Sequence, residues 1–282
     1  MVENRPFLNF LTHLVLIAGV VIVVFPVYLA FIASSRGPGD FVSGVVPLLP
    51  GTHLVENYST IWNEGLSSSG APPIWVMMAN SLLMAVAIAV GKIAISLLSA
   101  YAIVYFKFPF RLLAFWIIFI TLMLPVEVRI IPTFKVVADL GMLNSYLGLT
   151  LPLIASATAT FLFRQFFLTI PDELMEAARV DGAGPLKFFR DILLPLSRTN
   201  IAALFVILFI FGWVQYMWPL LVTTDSRYYT IVMGIKRLAA SADSEPLWHL
   251  VMAAVILAML PPVLVVISMQ RLFVKGLVET EK

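Results

Sequence analysis

Six long stretches with no charged residue, or with a single one, restrict the fold of this chain more than any other feature. A helix needs about 20 apolar residues to cross about 30 Å of hydrocarbon, and all but the third stretch reach that length. Of the 282 residues, 61% are hydrophobic and 12% are charged, against about a quarter charged in soluble proteins. The sequence therefore predicts an all-α polytopic membrane protein with six transmembrane helices. The predicted spans are residues 14–35, 75–106, 112–126, 140–163, 199–224 and 246–270.

These spans divide the chain into three regions. Residues 1–75 hold the first helix and a polar loop rich in glycine, proline and serine, in which residues 57–62 are expected to form a short interfacial helix. Residues 76–271 form a five-helix core, interrupted at 165–198 by a charge-rich segment, and residues 272–282 form a polar tail. A cleaved signal peptide is the competing interpretation of the first run, but no small-residue cleavage site follows a short apolar core.

Several classes of protein are excluded by what the sequence lacks. The net charge of +2 does not indicate nucleic-acid binding, and the absence of cysteine excludes disulfides and thiolate metal sites. The three histidines have no metal-ligand spacing, so no metal site is predicted. No stretch matches a phosphate-binding loop, since Gly91-Lys92 lacks the upstream glycine and the following hydroxyl residue. We expect no catalytic residue and no bound cofactor in this chain.

The charge-rich segment has the pattern of two short helices joined by a turn. Pro171 followed by Asp172 and Glu173 suits a first helical turn, because proline presets the backbone and acids favour the positive end of the helix dipole. Gly182 can adopt the left-handed conformation that ends a helix. Taken locally, this is also the pattern of an ordinary amphipathic surface helix.

The full spacing of the segment resembles the EAA loop of permeases from ATP-binding-cassette importers. Glu176-Ala177-Ala178 is followed after three residues by Gly182 and after nine more by Ile192-Leu193-Leu194-Pro195. The resemblance implies a cytoplasmic coupling helix that docks in a cleft of a separate ATPase subunit, which binds Mg-ATP. The residues it assigns to ATPase coupling are Glu176, Ala177, Ala178, Asp181, Gly182, Ile192 and Pro195. The partners it implies are a second homologous permease subunit, a dimer of ATPase subunits and a periplasmic solute-binding protein.

Further stretches resemble membrane subunits of bacterial importers for sn-glycerol 3-phosphate. They are residues 3–6, 121–131, 149–167, 171–183 and 276–282. The resemblance implies uptake of sn-glycerol 3-phosphate and of glycerophosphodiesters, with a related sugar importer as the alternative. Thr199 departs from the family pattern, in which many members carry a second proline after the loop.

The distribution of basic residues predicts the orientation in the bacterial inner membrane. With six spans, eleven of the 18 lysines and arginines fall on the side of the Glu176 segment, six fall on the other side, and Lys92 lies inside a span. Because cytoplasmic loops carry more lysine and arginine, both termini and this segment are expected in the cytoplasm.

A few polar residues lie within or beside the spans and are candidates for the solute pathway. Glu127 and Arg129 stand between two prolines at the end of the third run, where ionisable residues tend to face the interior of a helix bundle. An interfacial pair that marks the helix end is an equal alternative. Asn80 and Gln215 complete the candidate set. Lys92 suits either an interfacial or interhelical contact or a role in translocation.

Two other classes of membrane protein were weighed against an importer subunit. An ion-coupled secondary transporter predicts internal inverted repeats and an ionisable relay within the spans, and no clear repeat is present. A membrane enzyme predicts clustered histidines or carboxylates at one depth, which the sequence does not show.

Overall fold

The computed structural model describes residues 6–41, 47–65, 70–121, 126–240 and 247–278, except the side chains of 6, 126, 127 and 271–278. Every regular element in these ranges is a helix. The α-helices are α1 (Pro6–Ser34), α2 (Leu54–Asn63), α3 (Ile74–Tyr105), α4 (Arg111–Ile120), α5 (Val126–Asp139), α6 (Tyr146–Thr150), α7 (Ala157–Leu168), α8 (Asp172–Val180), α9 (Pro185–Phe188), α10 (Leu194–Leu196), α11 (Arg198–Trp213), α12 (Met217–Val222), α13 (Ile231–Ala239) and α14 (Trp248–Val278). Short 3-10 helices cover Pro38–Phe41, Leu151–Leu153 and Ser226–Tyr228, and Phe189–Leu193 is π-helical.

Three helices are long and apolar enough to cross a membrane, and they match the first, second and sixth predicted spans. They are Phe7–Ser34, Ile74–Tyr105 and Trp248–Gln270. Two bent helix pairs raise the number to 5 if each pair forms one span. The third predicted run appears as α4, whose 10 residues extend about 15 Å, and residues 122–125 of that run lie outside the described part. The six-span arrangement therefore stays a prediction.

The fourth and fifth predicted spans are interrupted, whereas the sequence predicted continuous helices. In the fourth, Tyr146–Leu153 and Ala157–Leu168 meet at a bend of 47°. In the fifth, α11 ends at Trp213 and α12 starts at Met217. Proline explains the second interruption, because Pro219 has no N–H to donate to the carbonyl of Gln215 and its ring would clash with that carbonyl. Because the chain is apolar on both sides of such a break, hydropathy does not reveal it.

The described chain divides into two compact units, Met1–Val76 with Gly234–Leu260 and Met77–Met233 with Pro261–Lys282. In the first unit, the end of α1 packs on α2, which includes the short helix expected at 57–62. Ile32 and Ile61 are fully buried there. The interfacial position of this helix stays a prediction. The side-chain amide of Asn57 donates to the carbonyls of Ser34 and Arg36 at 2.9 and 2.8 Å. The three-region division expected from the sequence is a different partition and stays a prediction.

The second unit is built around α3. Its apolar core brings α3 together with α5, α6 and α12 through Met84, Ile88, Val137, Leu149, Trp218 and Val222. Trp218 also donates its indole N–H to the carbonyl of Gly148 at 3.0 Å. Helix α11 approaches α3 closely at Gly212, where an added Cβ would lie 2.8 Å from the Cα of Ala85. Small residues permit such close packing between membrane helices.

Replacing Gly212 with leucine is expected to destabilise the protein, because the new side chain would meet backbone atoms of α3 that cannot move aside. Overpacking of this kind costs about 1–3 kcal/mol. Gly19→Leu is the matched control, since a Cβ there meets nothing within 4 Å and also lies in an apolar helix. Loss of helical circular dichroism on heating in detergent measures the effect. Equal midpoints for the two variants would contradict the packing argument.

Candidate functional site

The segment that follows α7 begins with α8. This helix ends just before Gly182, as the sequence predicted. Gly182 has a φ of 70°. Its N–H donates to the carbonyl of Arg179 at 3.0 Å, and the N–H of Ala183 donates to the carbonyl of Ala178 at 2.8 Å. This pair of bonds is a Schellman motif, which satisfies carbonyls that the end of the helix would leave free. The backbone therefore sets the turn at Gly182, and an added Cβ would touch nothing within 4 Å.

Two tyrosines at the end of α3 hold this segment in place. Tyr101 donates its hydroxyl to the carbonyl of Pro185 at 2.8 Å, and its ring lies 5.0 Å from that of Phe189. The ring of Tyr105 lies 5.3 Å from that of the buried Phe188. We refer to Tyr101, Tyr105, Phe188 and Phe189 as the aromatic seat. Sequence reasoning missed it, although two tyrosines four residues apart at the end of a span are a signal of an interhelical contact.

The residues assigned to ATPase coupling differ in their exposure. Glu176, Ala177, Asp181 and Gly182 are exposed, whereas Ala178 is 5% exposed. Ile192 and Pro195 are half-buried, in and just after the π-helical turn. Pro195 accounts for that turn, because it cannot donate an α-helical hydrogen bond to Asp191. The exposed residues of α8 and its turn suit docking to a partner subunit. The half-buried Ile192 and Pro195 suit support of that docking surface from within the chain.

Two large apolar side chains stand out on the exposed side of this segment, and sequence reasoning did not select them. Val180 is 88% exposed and Leu186 is 78% exposed, and they flank the turn at Gly182. We refer to Val180 and Leu186 as the apolar tip. Apolar side chains presented beside a turn on a polar segment are typical of a protein contact surface.

A second feature of the same unit is a cavity of about 510 Å³, which we call the membrane cavity. It lies where both helix interruptions meet α3 and α5. The residues that line it are Lys92, Arg129, Ile130, Thr133, Pro152, Leu153, Ala155, Phe211, Val214, Gln215, Tyr216, Met217 and Trp218. Irregular backbone at membrane depth is tolerated where it lines a cavity, and broken helices mark the binding sites of many transporters.

Two cationic side chains line the membrane cavity. Lys92 is 8% exposed, and its Nζ lies 3.9 Å from the centre of the Phe211 ring, which gives a cation–π contact between α3 and α11. This is the interhelical contact that was one of the interpretations of Lys92. Arg129 is exposed on α5. Among the side chains that the structure describes, no carboxylate forms an ion pair with either cation.

Gln215 lies in the interruption between α11 and α12. Its side-chain nitrogen donates to the carbonyl of Phe211 at 3.1 Å, which satisfies a carbonyl in the last turn of α11. The amide oxygen is then the acceptor that Gln215 can offer to a solute.

Comparison with known proteins assigns the chain to a family. Residues 92–279, about two thirds of the chain, match the family described as "Binding-protein-dependent transport system inner membrane component". The chain belongs to this family. It is a multi-pass inner membrane protein and a translocation component of an ATP-binding-cassette importer, and the sequence resemblance to such permeases is confirmed.

Curated relatives cover this permease from end to end. Proteins named "sn-glycerol-3-phosphate transport system permease protein UgpE" from Rhizobium meliloti (strain 1021) and Agrobacterium fabrum are each 60% identical to it over 282 residues, which is 100% of both chains. The protein of that name from Salmonella typhi is 58% identical over the same length. The matched region is the whole chain and so includes the segment around Glu176.

A solved structure supports the fold of the permease. It is a bacterial ABC transporter involved in the import of the acidic polysaccharide alginate, and it aligns with a TM-score of 0.81. The alignment covers 96% of this chain and 98% of that chain at 20% identity. At this identity the likeness establishes the architecture of the permease.

Asn80 and Glu127 are the two remaining candidates for the solute pathway. Asn80 is 3% exposed and does not line the membrane cavity. Its Nδ2 donates to the carbonyls of Arg227 and Tyr229 at 2.8 and 2.9 Å, and its Oδ1 accepts from the Tyr146 hydroxyl at 2.9 Å. These bonds suit an anchor for the loop at 223–230. The side chain of Glu127 lies outside the described part, so its role stays a prediction.

The loop that Asn80 holds is also bound by the side chain of Asn144. The side-chain oxygen of Asn144 accepts from the backbone N–H groups of Thr224 and Asp225 at 2.7 and 2.9 Å. Hydrogen bonds from Arg227 hold the pKa of the Asp225 carboxyl below its ordinary value. The loop is thus fixed by neutral and charged contacts together, and it contributes no residue to the membrane cavity.

Proposed function

We propose that this permease is a subunit of an importer for sn-glycerol 3-phosphate, which also takes up glycerophosphodiesters. The observation that supports the solute is 60% identity over all 282 residues with permeases named for sn-glycerol-3-phosphate transport. A cavity with two cations and no described carboxylate partner agrees with an anionic solute. A related sugar importer is the alternative from the sequence, and a neutral sugar such as maltose would leave that charge unused.

The importer would contain this chain, a second permease subunit, two ATPase subunits and a periplasmic solute-binding protein. In our proposal the permease crosses the membrane six times, with both termini in the cytoplasm. Mg-ATP binds to the ATPase subunits, and this chain carries no cofactor of its own. The support for this orientation is the excess of lysine and arginine on the side of α8.

Nucleotide would drive transport through α8 and the turn at Gly182. The exposed Glu176, Ala177 and Asp181 would contact a cleft of the ATPase subunit, together with the apolar tip. Closure of the ATPase pair on ATP would draw the coupling helices of the two permease subunits together. The bundle would then pass from an inward-facing to an outward-facing state, and hydrolysis would reset it. Two rigid-body states biased by a ligand are sufficient for such a cycle.

Uptake by the reconstituted complex tests the proposed solute. We expect vesicles that contain all subunits and ATP to accumulate labelled sn-glycerol 3-phosphate and to exclude labelled maltose. The ATPase subunit should also copurify with this chain in mild detergent. Accumulation of maltose without glycerol 3-phosphate would overturn the assignment of the solute. Accumulation driven by an ion gradient, with no copurifying ATPase, would overturn the coupling scheme.

A further inference from the structure

We infer that Lys92 and Arg129 together bind the phosphate group of the solute inside the membrane cavity. The inference rests on the proposed import of a phosphorylated solute, and it adds the residues that recognise the charge. Neither the family match nor the names of the relatives assign these residues a role. Three features support it: the depth of Lys92, the sign of the charge in the cavity, and the hydrogen-bonding groups around it.

Lys92 lies too deep in α3 for its charge to reach either end of the helix. It is within three residues of the middle of a 32-residue helix, and the last residue, Tyr105, is about 20 Å away along the axis. Lysines near helix ends extend to the interface, but a lysine at mid-membrane depth is costly and marks a functional site by default. The 8% exposure of Lys92 is towards the cavity that it lines.

The charge of the membrane cavity favours an anion. Lys92 and Arg129 line the same cavity of about 510 Å³, and two like charges that share a cavity repel each other. The Phe211 ring offsets part of the cost at Lys92. A phosphate between the two cations would offset the repulsion and supply a counter-charge that no described side chain provides.

The two cations differ in a way that suits a phosphate monoester. Arginine presents a planar fork that binds two phosphate oxygens at once, and lysine supplies a compact point charge. Thr133 and Gln215 line the same cavity. The Thr133 hydroxyl already donates to the carbonyl of Arg129, and the Gln215 amide nitrogen already donates to that of Phe211. Their oxygens are left as acceptors for hydroxyl groups of a glycerol moiety.

The size of the cavity also agrees with this class of solute. Small-molecule sites measure about 300–1,000 Å³, so this one holds a short phosphorylated polyol with a few water molecules. A neutral sugar in the same place would supply no counter-charge to either cation. The pair of cations therefore selects for phosphorylated over neutral solutes.

The test is uptake of labelled sn-glycerol 3-phosphate by vesicles that contain the complete importer with saturating binding protein and ATP. Lys92→Gln and Arg129→Gln are each expected to lower the import rate about 10-fold or more, because each removes a charged hydrogen bond. Arg129→Lys should retain more import than Arg129→Gln. The amount of ATPase that copurifies should stay within about twofold of the original importer. The stimulation of ATP hydrolysis by the binding protein should stay within the same range.

Lys135→Gln is the matched control, because Lys135 is an exposed cation on the same helix as Arg129 and does not line the cavity. We expect it to import at the original rate. Original rates in both Lys92→Gln and Arg129→Gln, or an equal loss in Lys135→Gln, would overturn the inference. If Lys92→Gln does not assemble, the Arg129 variants decide the question. An unaltered importer that takes up no glycerol 3-phosphate would instead overturn the proposed function.

Discussion

Replacing Val180 or Leu186 with aspartate is expected to abolish uptake while the permease remains folded in the membrane. Both side chains of the apolar tip are more than three-quarters exposed, so either substitution removes little packing within this chain. Burying an aspartate in the apolar centre of an interface leaves a charge without a partner. Central apolar residues of an interface contribute about 2 kcal/mol or more, so we expect each variant to weaken ATPase binding at least about 30-fold. Copurification of the ATPase subunit and uptake by vesicles measure the two effects.

Conservative replacements at the same positions provide the control. Val180→Ile and Leu186→Met keep the apolar character of the tip, and both should copurify the ATPase and support uptake at nearly the original level. Aspartate variants that bind the ATPase normally would show that the apolar tip faces solvent in the assembled importer. Docking would then depend on the helix face that carries Glu176 and Ala177.

Replacing Tyr101 with alanine is expected to uncouple ATP hydrolysis from transport. Tyr101 is 9% exposed, and alanine would remove its hydrogen bond to Pro185 and its ring contacts with Phe106 and Phe189. Losing a buried aromatic side chain costs about 3–5 kcal/mol, which would detach the segment after α8 from the end of α3. The ATPase would still bind the apolar tip, but its movement would no longer reach the membrane helices. The ratio of ATP hydrolysed to solute imported measures this loss.

Tyr101→Phe separates the ring from the hydroxyl. It removes one hydrogen bond, worth about 1 kcal/mol, and keeps the aromatic contacts. We expect this variant to import within about fivefold of the original rate and to keep its coupling ratio. A Tyr101→Ala variant with an unchanged coupling ratio would exclude the aromatic seat from transmission.

The parts of the fold that were predictable from sequence are those that depend on local chemistry. Apolar length alone predicted the helices Phe7–Ser34, Ile74–Tyr105 and Trp248–Gln270. The stop at Gly182 was also predictable, because few residues other than glycine adopt a positive φ at the end of a helix. The segment carrying Glu176 was recognisable because its spacing extends over twenty residues.

The helix interruptions and the aromatic seat could not be predicted in the same way. Val214, Gln215 and Tyr216 are as compatible with a helix as their neighbours, and the break depends on how Pro219 and the core residue Trp218 are placed. Tyr101 is the residue type expected in an interfacial aromatic belt. The packing of Phe189 against its ring shows that it instead holds the segment after α8. Asn80 is a further case, since a polar residue in a span predicted a pathway position and the structure shows its side chain bonded to the carbonyls of Arg227 and Tyr229.

Helix α3 carries both the aromatic seat and one cation of the membrane cavity. Lys92 and Tyr101 are separated by about 14 Å of unbroken helix, with no proline or other interruption between them. A displacement of the segment seated on Tyr101 would therefore reach the ammonium group of Lys92 as a tilt of one stiff helix, without slack from an intervening joint. Release of the solute from Lys92 and closure of the ATPase pair would then occur in one concerted movement.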